Sequence, residues 1–272
     1  MKPTLPSVPA MKSLIFLLAM LLFAALNAPT AGAAVLKEPF ATPVGDVPPN
    51  WKTVKRNGTT AVVGIESWNG GTDYGLLISR PDSGGSNANA AVFYTGTMEG
   101  ISEGVMSDFS GSVTLVLGAG YARTDSSRGV VLRAQSTSGY GFPGYYLAFT
   151  SNKLFLSRDP VSHSDNGVGL TSVPLSGLQE QHAYRLDFSI VGSTVNGTLY
   201  DGSTVVATLN YDLSPDGESY YTKGSFGLRG GYQGYVESYF SDLTLTPAPI
   251  PEPAPLALLA SGLLALGLWR KR

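Results

Sequence analysis

Thr194-Val195-Asn196-Gly197-Thr198-Leu199-Tyr200 runs into Asp201-Gly202-Ser203 and resumes as Thr204-Val205-Val206-Ala207-Thr208-Leu209. Apolar and polar side chains alternate on both sides of the Asp-Gly turn. Such alternation buries one face of an extended strand, and Asp-Gly tolerates the positive φ of a tight hairpin. Just upstream, Tyr184 to Val191 alternates in the same way and meets Thr194 across Gly192-Ser193. Three consecutive antiparallel strands therefore follow from one stretch of sequence.

The same signature recurs outward. Tyr145 to Thr150 and Leu154 to Arg158 form a second hairpin across Ser151-Asn152-Lys153. Val113 to Leu117 reads as a strand, as does Val130 to Ala134, with Val131 and Arg133 facing one way and Val130, Leu132 and Ala134 the other. Ala61 to Ile65, Tyr74 to Ser79 and Ala90 to Tyr94 add strands early, and Gly224 to Arg229 and Val236 to Thr246 close the series. That makes about twelve strands. No stretch between residues 35 and 247 shows a capped 3.6-residue apolar period. Twelve strands in one open sheet would leave an apolar face in water, so the expectation is all-β, a two-sheet jelly-roll sandwich. Pro-rich pieces lie only at its borders, at Pro43 to Pro49 and Pro247 to Pro253, so one module is expected.

The two ends read as addresses. Lys12 precedes thirteen uncharged residues, Leu14 to Leu26, and Ala31-Gly32-Ala33 offers a small-x-small cleavage site. Residues 1–33 are thus expected to be a signal peptide handled by the secretion machinery and signal peptidase. Residues 34–247 are the β-sandwich module. At the other end, Pro251-Glu252-Pro253 precedes an apolar segment, 254–269, and the basic cluster Arg270-Lys271-Arg272. Its uncharged part, Ala254 to Leu268, is about 22 Å long as a helix, short for a hydrocarbon core of about 30 Å. The basic cluster would stay cytoplasmic.

This tail, residues 248–272, resembles the PEP-CTERM sorting signal of exopolysaccharide-producing Gram-negative bacteria. The resemblance implies a transient inner-membrane anchor, processing by an exosortase-type sorting protease, and delivery to the cell surface or extracellular matrix.

Composition narrows the chemistry. The 272 residues include no Cys, which excludes disulfides, thiolate metal sites and a cysteine nucleophile. Two His leave little for histidine-based catalysis. With the five cations and one anion of the two ends set aside, 13 Lys+Arg face 19 Asp+Glu, a net charge of −6. No basic footprint for nucleic acid exists.

Gly129-Val130-Val131-Leu132-Arg133, Gly144-Tyr145-Tyr146-Leu147-Ala148-Phe149 and His182-Ala183-Tyr184-Arg185-Leu186 resemble strands of concanavalin-A-like (laminin-G/glucanase-type) jelly rolls. Gly224 to Leu228 and Val236 to Leu243 resemble that fold's last strands, and Phe40 with Pro48-Pro49-Asn50-Trp51 its first edge. Glucanase-type relatives carry Glu-x-Asp-x-x-Glu on one strand. No such triplet occurs here, and no catalytic residue is assigned. Glu99 and Glu103, like Asp212, Asp216 and Glu218, sit in loop-like stretches, His163 lies in a polar loop, and His182 opens a strand.

The resemblance implies calcium as a candidate cofactor, with Glu38 and Asp242 at the matching positions. Sugar contact needs aromatic faces for rings and Arg for hydroxyls, so Arg133, Tyr146, Arg158, Tyr232 and Tyr235 are the candidates. The expected function is a non-catalytic exported module associated with exopolysaccharide. A jelly-roll glycosidase or lyase, and a purely structural matrix component, are the alternatives.

Overall fold

A computed structural model describes residues 34–248, except 42–44, 56–60, 69–72, 82–89, 98–100, 119–125, 138–141, 159–166, 215–219 and 232–236. The signal peptide and sorting tail lie outside the described residues, as do Glu99, His163, Asp216, Glu218, Tyr232 and Tyr235.

Sixteen strands are described. In chain order they are β1 (Leu36–Glu38), β2 (Trp51–Lys55), β3 (Ala61–Ser67), β4 (Tyr74–Pro81), β5 (Ala90–Tyr94), β6 (Val105–Met106), β7 (Phe109–Leu117) and β8 (Ser127–Ala134). They continue with β9 (Tyr145–Phe149), β10 (Lys153–Arg158), β11 (Val168–Pro174), β12 (His182–Val191), β13 (Thr194–Asp201), β14 (Thr204–Asp212), β15 (Gly224–Gly231) and β16 (Ser238–Pro247). All twelve expected strands are present. Four more, β1, β2, β6 and β11, are too short or too polar for alternation to reveal them.

The strands form two antiparallel sheets of eight. One sheet runs β14-β13-β12-β7-β16-β4-β3, with β1 also on β16. The other runs β11-β10-β9-β8-β15-β5-β2, with β6 also on β15. Both hairpins at the opening of the sequence reading form in register: Val191 pairs with Thr194, and Asp201 with Thr204.

The inner faces meet around aromatic rings. Phe226 of the second sheet stacks on Phe188 of the first at 5.4 Å and meets Phe109 and Trp51 edge-on. Trp51 carries Phe40 and Tyr94 against its edges. Burying such a ring favours folding strongly, so Phe226→Ala would cost about 3–5 kcal/mol.

The two outer faces differ. On the first sheet, β12 and β13 alternate between buried and partly exposed residues. On the second, β5, β8 and β9 are buried along their whole length. A second apolar cluster, including Val54, Phe93, Val131, Phe142, Tyr146 and Phe155, covers that outer face. Strict alternation fails in β8, which corrects the facing expected for Ala134. Arg133 takes a left-handed φ of 52°, and the register against β15 slips between Ser225 and Gly227. Ala134 therefore joins Val131 in the outer cluster.

Candidate functional site

The edge of the second sheet carries a cleft of about 510 Å³, built on β10 and β11. Alternation along β10 turns Leu154 and Leu156 into the core. Lys153, Phe155 and Ser157 then lie on the outer face. On β11, Ser172 pairs with Phe155 and Gly169 with Ser157, the register slipping in between. The lining carries three hydroxyls, of Ser157, Thr171 and Ser172, one aromatic ring and one amine beside two leucines and two glycines.

Cations and rings alternate from the cleft toward the sheet centre. The Lys153 ammonium sits 5.2 Å from the Phe155 ring centre, and Phe155 meets Tyr146 edge-on at 5.9 Å. The Arg229 guanidinium lies 4.6 Å over the other ring of that pair, Tyr146. Two features mark the cleft as chemically open. The Ser157 hydroxyl is buried with no hydrogen-bond partner, an arrangement that costs about 1–3 kcal/mol unless something satisfies it. A Cβ built on Gly169 would meet nothing within 4 Å, so this glycine borders free space. Lys153 is exposed, and its flexible stem can leave the ring it covers. The hydroxyls of Thr171 and Ser172 and the exposed Lys153 ammonium, over a floor of buried Phe155, suit a polyhydroxylated ligand.

The described sugar-contact candidates, Arg133, Tyr146 and Arg158, do not line this cleft. Arg133 is only 1% exposed. Its Nε donates to the Ser107 carbonyl at 2.7 Å, Nη1 to the carbonyls of Gly192 and Tyr221, and Nη2 to the Asp108 carboxylate at 2.7 Å. Burial pulls its pKa down and Asp108 opposes that shift. Its guanidinium is a tether between loops. Tyr146 is fully buried, its hydroxyl 3.3 Å from both Ser127 Oγ and the Arg229 carbonyl. It supports the cleft from beneath Phe155. Arg158 closes β10 on the inward-facing parity of Leu154 and Leu156, half-buried. The cleft residues Lys153, Phe155 and Ser157 escaped notice because only β11 turns that face of β10 into a concavity.

The register brings Glu38 and Asp242 close in the fold. Glu38 pairs with Leu243, next to Asp242. Leu243 is buried, whereas Asp242 is exposed at a left-handed φ of 50°. Each carboxylate also has a local partner, the Phe40 N–H for Glu38 and the Ser241 hydroxyl for Asp242. Among the described residues no three His, Asp or Glu gather in one place. These two carboxylates do not make up a calcium site on their own, since calcium takes six to eight oxygens. His182 pairs with Asp201 at 2.8 Å, on the first sheet.

The two antiparallel sheets form a sandwich, and comparison with solved structures finds the same architecture in proteins with lectin-like jelly-roll folds. The VIP36 exoplasmic/lumenal domain, in its Ca2+/Man3GlcNAc-bound form, superposes with a TM-score of 0.52 at 9% identity, covering 80% of this chain and 90% of that one. A Lotus tetragonolobus seed lectin gives 0.53 at 9% identity, covering 80% and 100%. A Bacillus subtilis protein of unknown function with a galectin-like fold gives 0.53 at 11% identity, covering 79% and 96%. At these identities the likeness establishes the fold. No family model matches the sequence, and no curated protein does.

Proposed function

We propose that the chain is an exported, non-catalytic glycan-binding module, and that the β10–β11 cleft receives the sugar. The single observation that carries this reading is the lining of that cleft: Thr171, Ser172 and Lys153 at its surface for sugar hydroxyls, with the buried Phe155 and Ser157 as its floor. The fold supports it, because the VIP36 domain of similar fold is known in a Ca2+/Man3GlcNAc-bound form. Hydrolysis of a glycoside asks for two carboxylates flanking the bond, and the lining residues include none. Export rests on the signal-like start and on the tail Pro251-Glu252-Pro253, apolar segment and Arg270-Lys271-Arg272. In this reading the tail holds the chain briefly in the inner membrane until a sorting protease releases it to the cell surface or matrix.

The test is a glycan array probed with the purified protein, with and without calcium. Binding to a defined glycan supports the reading, and loss of that binding in Lys153→Ala assigns it to the cleft. No binding in either arm refutes it. Binding only with calcium would place the sugar at a metal site rather than in the β10–β11 cleft, whose lining holds no carboxylate.

A further inference from the structure

Arg128 is the second residue of β8 and points between the sheets on the same parity as Val130 and Leu132. It is fully buried. Its guanidinium makes one hydrogen bond, Nη2 to the Ser126 carbonyl at 3.3 Å, and Nε and Nη1 have no partner. No carboxylate pairs with it among the described residues. The nearest ring is Phe149, 6.0 Å away. The other two buried arginines are engaged, Arg133 by four acceptors and Arg229 over the Tyr146 ring.

Two buried hydroxyls without partners lie beside it. Ser126 is two residues back on the same strand approach, and Ser238 belongs to β16 of the opposite sheet. The register brings them together. Gly230 pairs with Arg128, and a Cβ on Gly230 would lie 3.2 Å from Ser238 Oγ. Ser238 thus packs over the one position beside Arg128 that has no side chain. Both serines are fully buried.

A buried, unpaired guanidinium is costly, because its charge has left water without compensation. Burial lowers its pKa to about 10, which still leaves it charged at neutral pH. Nε, Nη1 and the two hydroxyls, none of them engaged in a hydrogen bond among the described residues, can all donate to one anion. We propose that Arg128, Ser126 and Ser238 hold a small monovalent anion, a halide or a formate-sized carboxylate, between the two sheets. The complete burial of all three residues favours a small free ion over a charged group on a polymer. One guanidinium matches one negative charge. A water molecule could satisfy the hydroxyls but not the charge.

Thermal unfolding of the full chain tests this. Gluconate, too large for the site, is replaced by bromide or formate at constant ionic strength. Ligand binding to the folded state should raise Tm by about 3–6 °C per tenfold increase once the site saturates. Arg128→Met should abolish that dependence. Should that variant fail to fold, Ser126→Ala with Ser238→Ala keeps the cation and should raise the anion concentration at which the Tm rise begins by at least tenfold. An unchanged wild-type Tm, or an onset unmoved in the serine variant, overturns the proposal. Crystals grown in bromide give a second readout: an anomalous peak beside Arg128 Nε supports the site, and its absence counts against it.

Discussion

Arg133 Nη2 donates to Asp108 Oδ1 at 2.7 Å, and the same carboxylate oxygen accepts the Gly192 N–H at 3.0 Å. One buried side chain thereby joins the end of β8, the start of β7, the β12–β13 turn and the backbone at Tyr221. Lys cannot reproduce this, because its ammonium lacks the planar fork. Arg133→Lys should therefore destabilise the protein by about 2 kcal/mol. Arg133→Met should cost about 3 kcal/mol, since it strands a carboxylate and three carbonyls. Urea unfolding measures both, and a loss under 1 kcal/mol in the methionine variant contradicts the tether.

The turn before β6 has a glycine with no substitute. Glu103 and Gly104 both take positive φ, 51° and 76°, while Ser102 and Val105 exchange backbone hydrogen bonds. A Cβ on Gly104 would collide with the Tyr94 carbonyl. Gly104→Ala should cost about 1–3 kcal/mol from backbone strain alone. A thermal melt matching wild type would show that this turn is not fixed as described.

Asp212 ends β14 and accepts hydrogen bonds from the Ser214 N–H at 3.0 Å and the Ser214 hydroxyl at 2.8 Å. Bonds from Ser193 and from these two Ser214 groups hold its pKa below 3.8. A carboxylate with a depressed folded pKa adds stability above its unfolded pKa and loses it as pH falls through the folded value. The stability gap between wild type and Asp212→Asn should therefore be constant at neutral pH and close below pH 3.8. A gap that persists in acid contradicts the assignment.

Export rests on the ends of the chain, so it has its own experiment. Deleting Pro251 to Arg272 should shift the protein from the cell surface to another fraction. Unchanged surface retention would refute a sorting role for the tail.

Much of the fold is legible in sequence because alternation has a local cause. Thr194 to Leu209 declares both strands and their turn without help from the rest of the chain. The cleft is different. Val168-Gly169-Leu170-Thr171-Ser172-Val173-Pro174 is an edge strand whose residues are exposed or only partly buried, so it carries little apolar signal. Without β11, the outer face of β10 looks like any solvent face, and Phe155 and Ser157 have no reason to stand out. Arg133 fails for the converse reason. Its residue type suits sugar recognition, but its role is set by Asp108, Gly192 and Tyr221, which lie 25, 59 and 88 residues away. Its left-handed φ, which also upsets the alternation of β8, has no mark in the local sequence.

Gly169→Phe is the most direct test of the glycan-binding cleft. The position borders open space on an exposed strand, so the new ring should fill the cleft without disturbing the core. With a glycan identified on the array, the account predicts wild-type Tm and at least tenfold weaker binding, read by calorimetry. Wild-type affinity in a properly folded Gly169→Phe protein would place the sugar elsewhere and contradict the central claim.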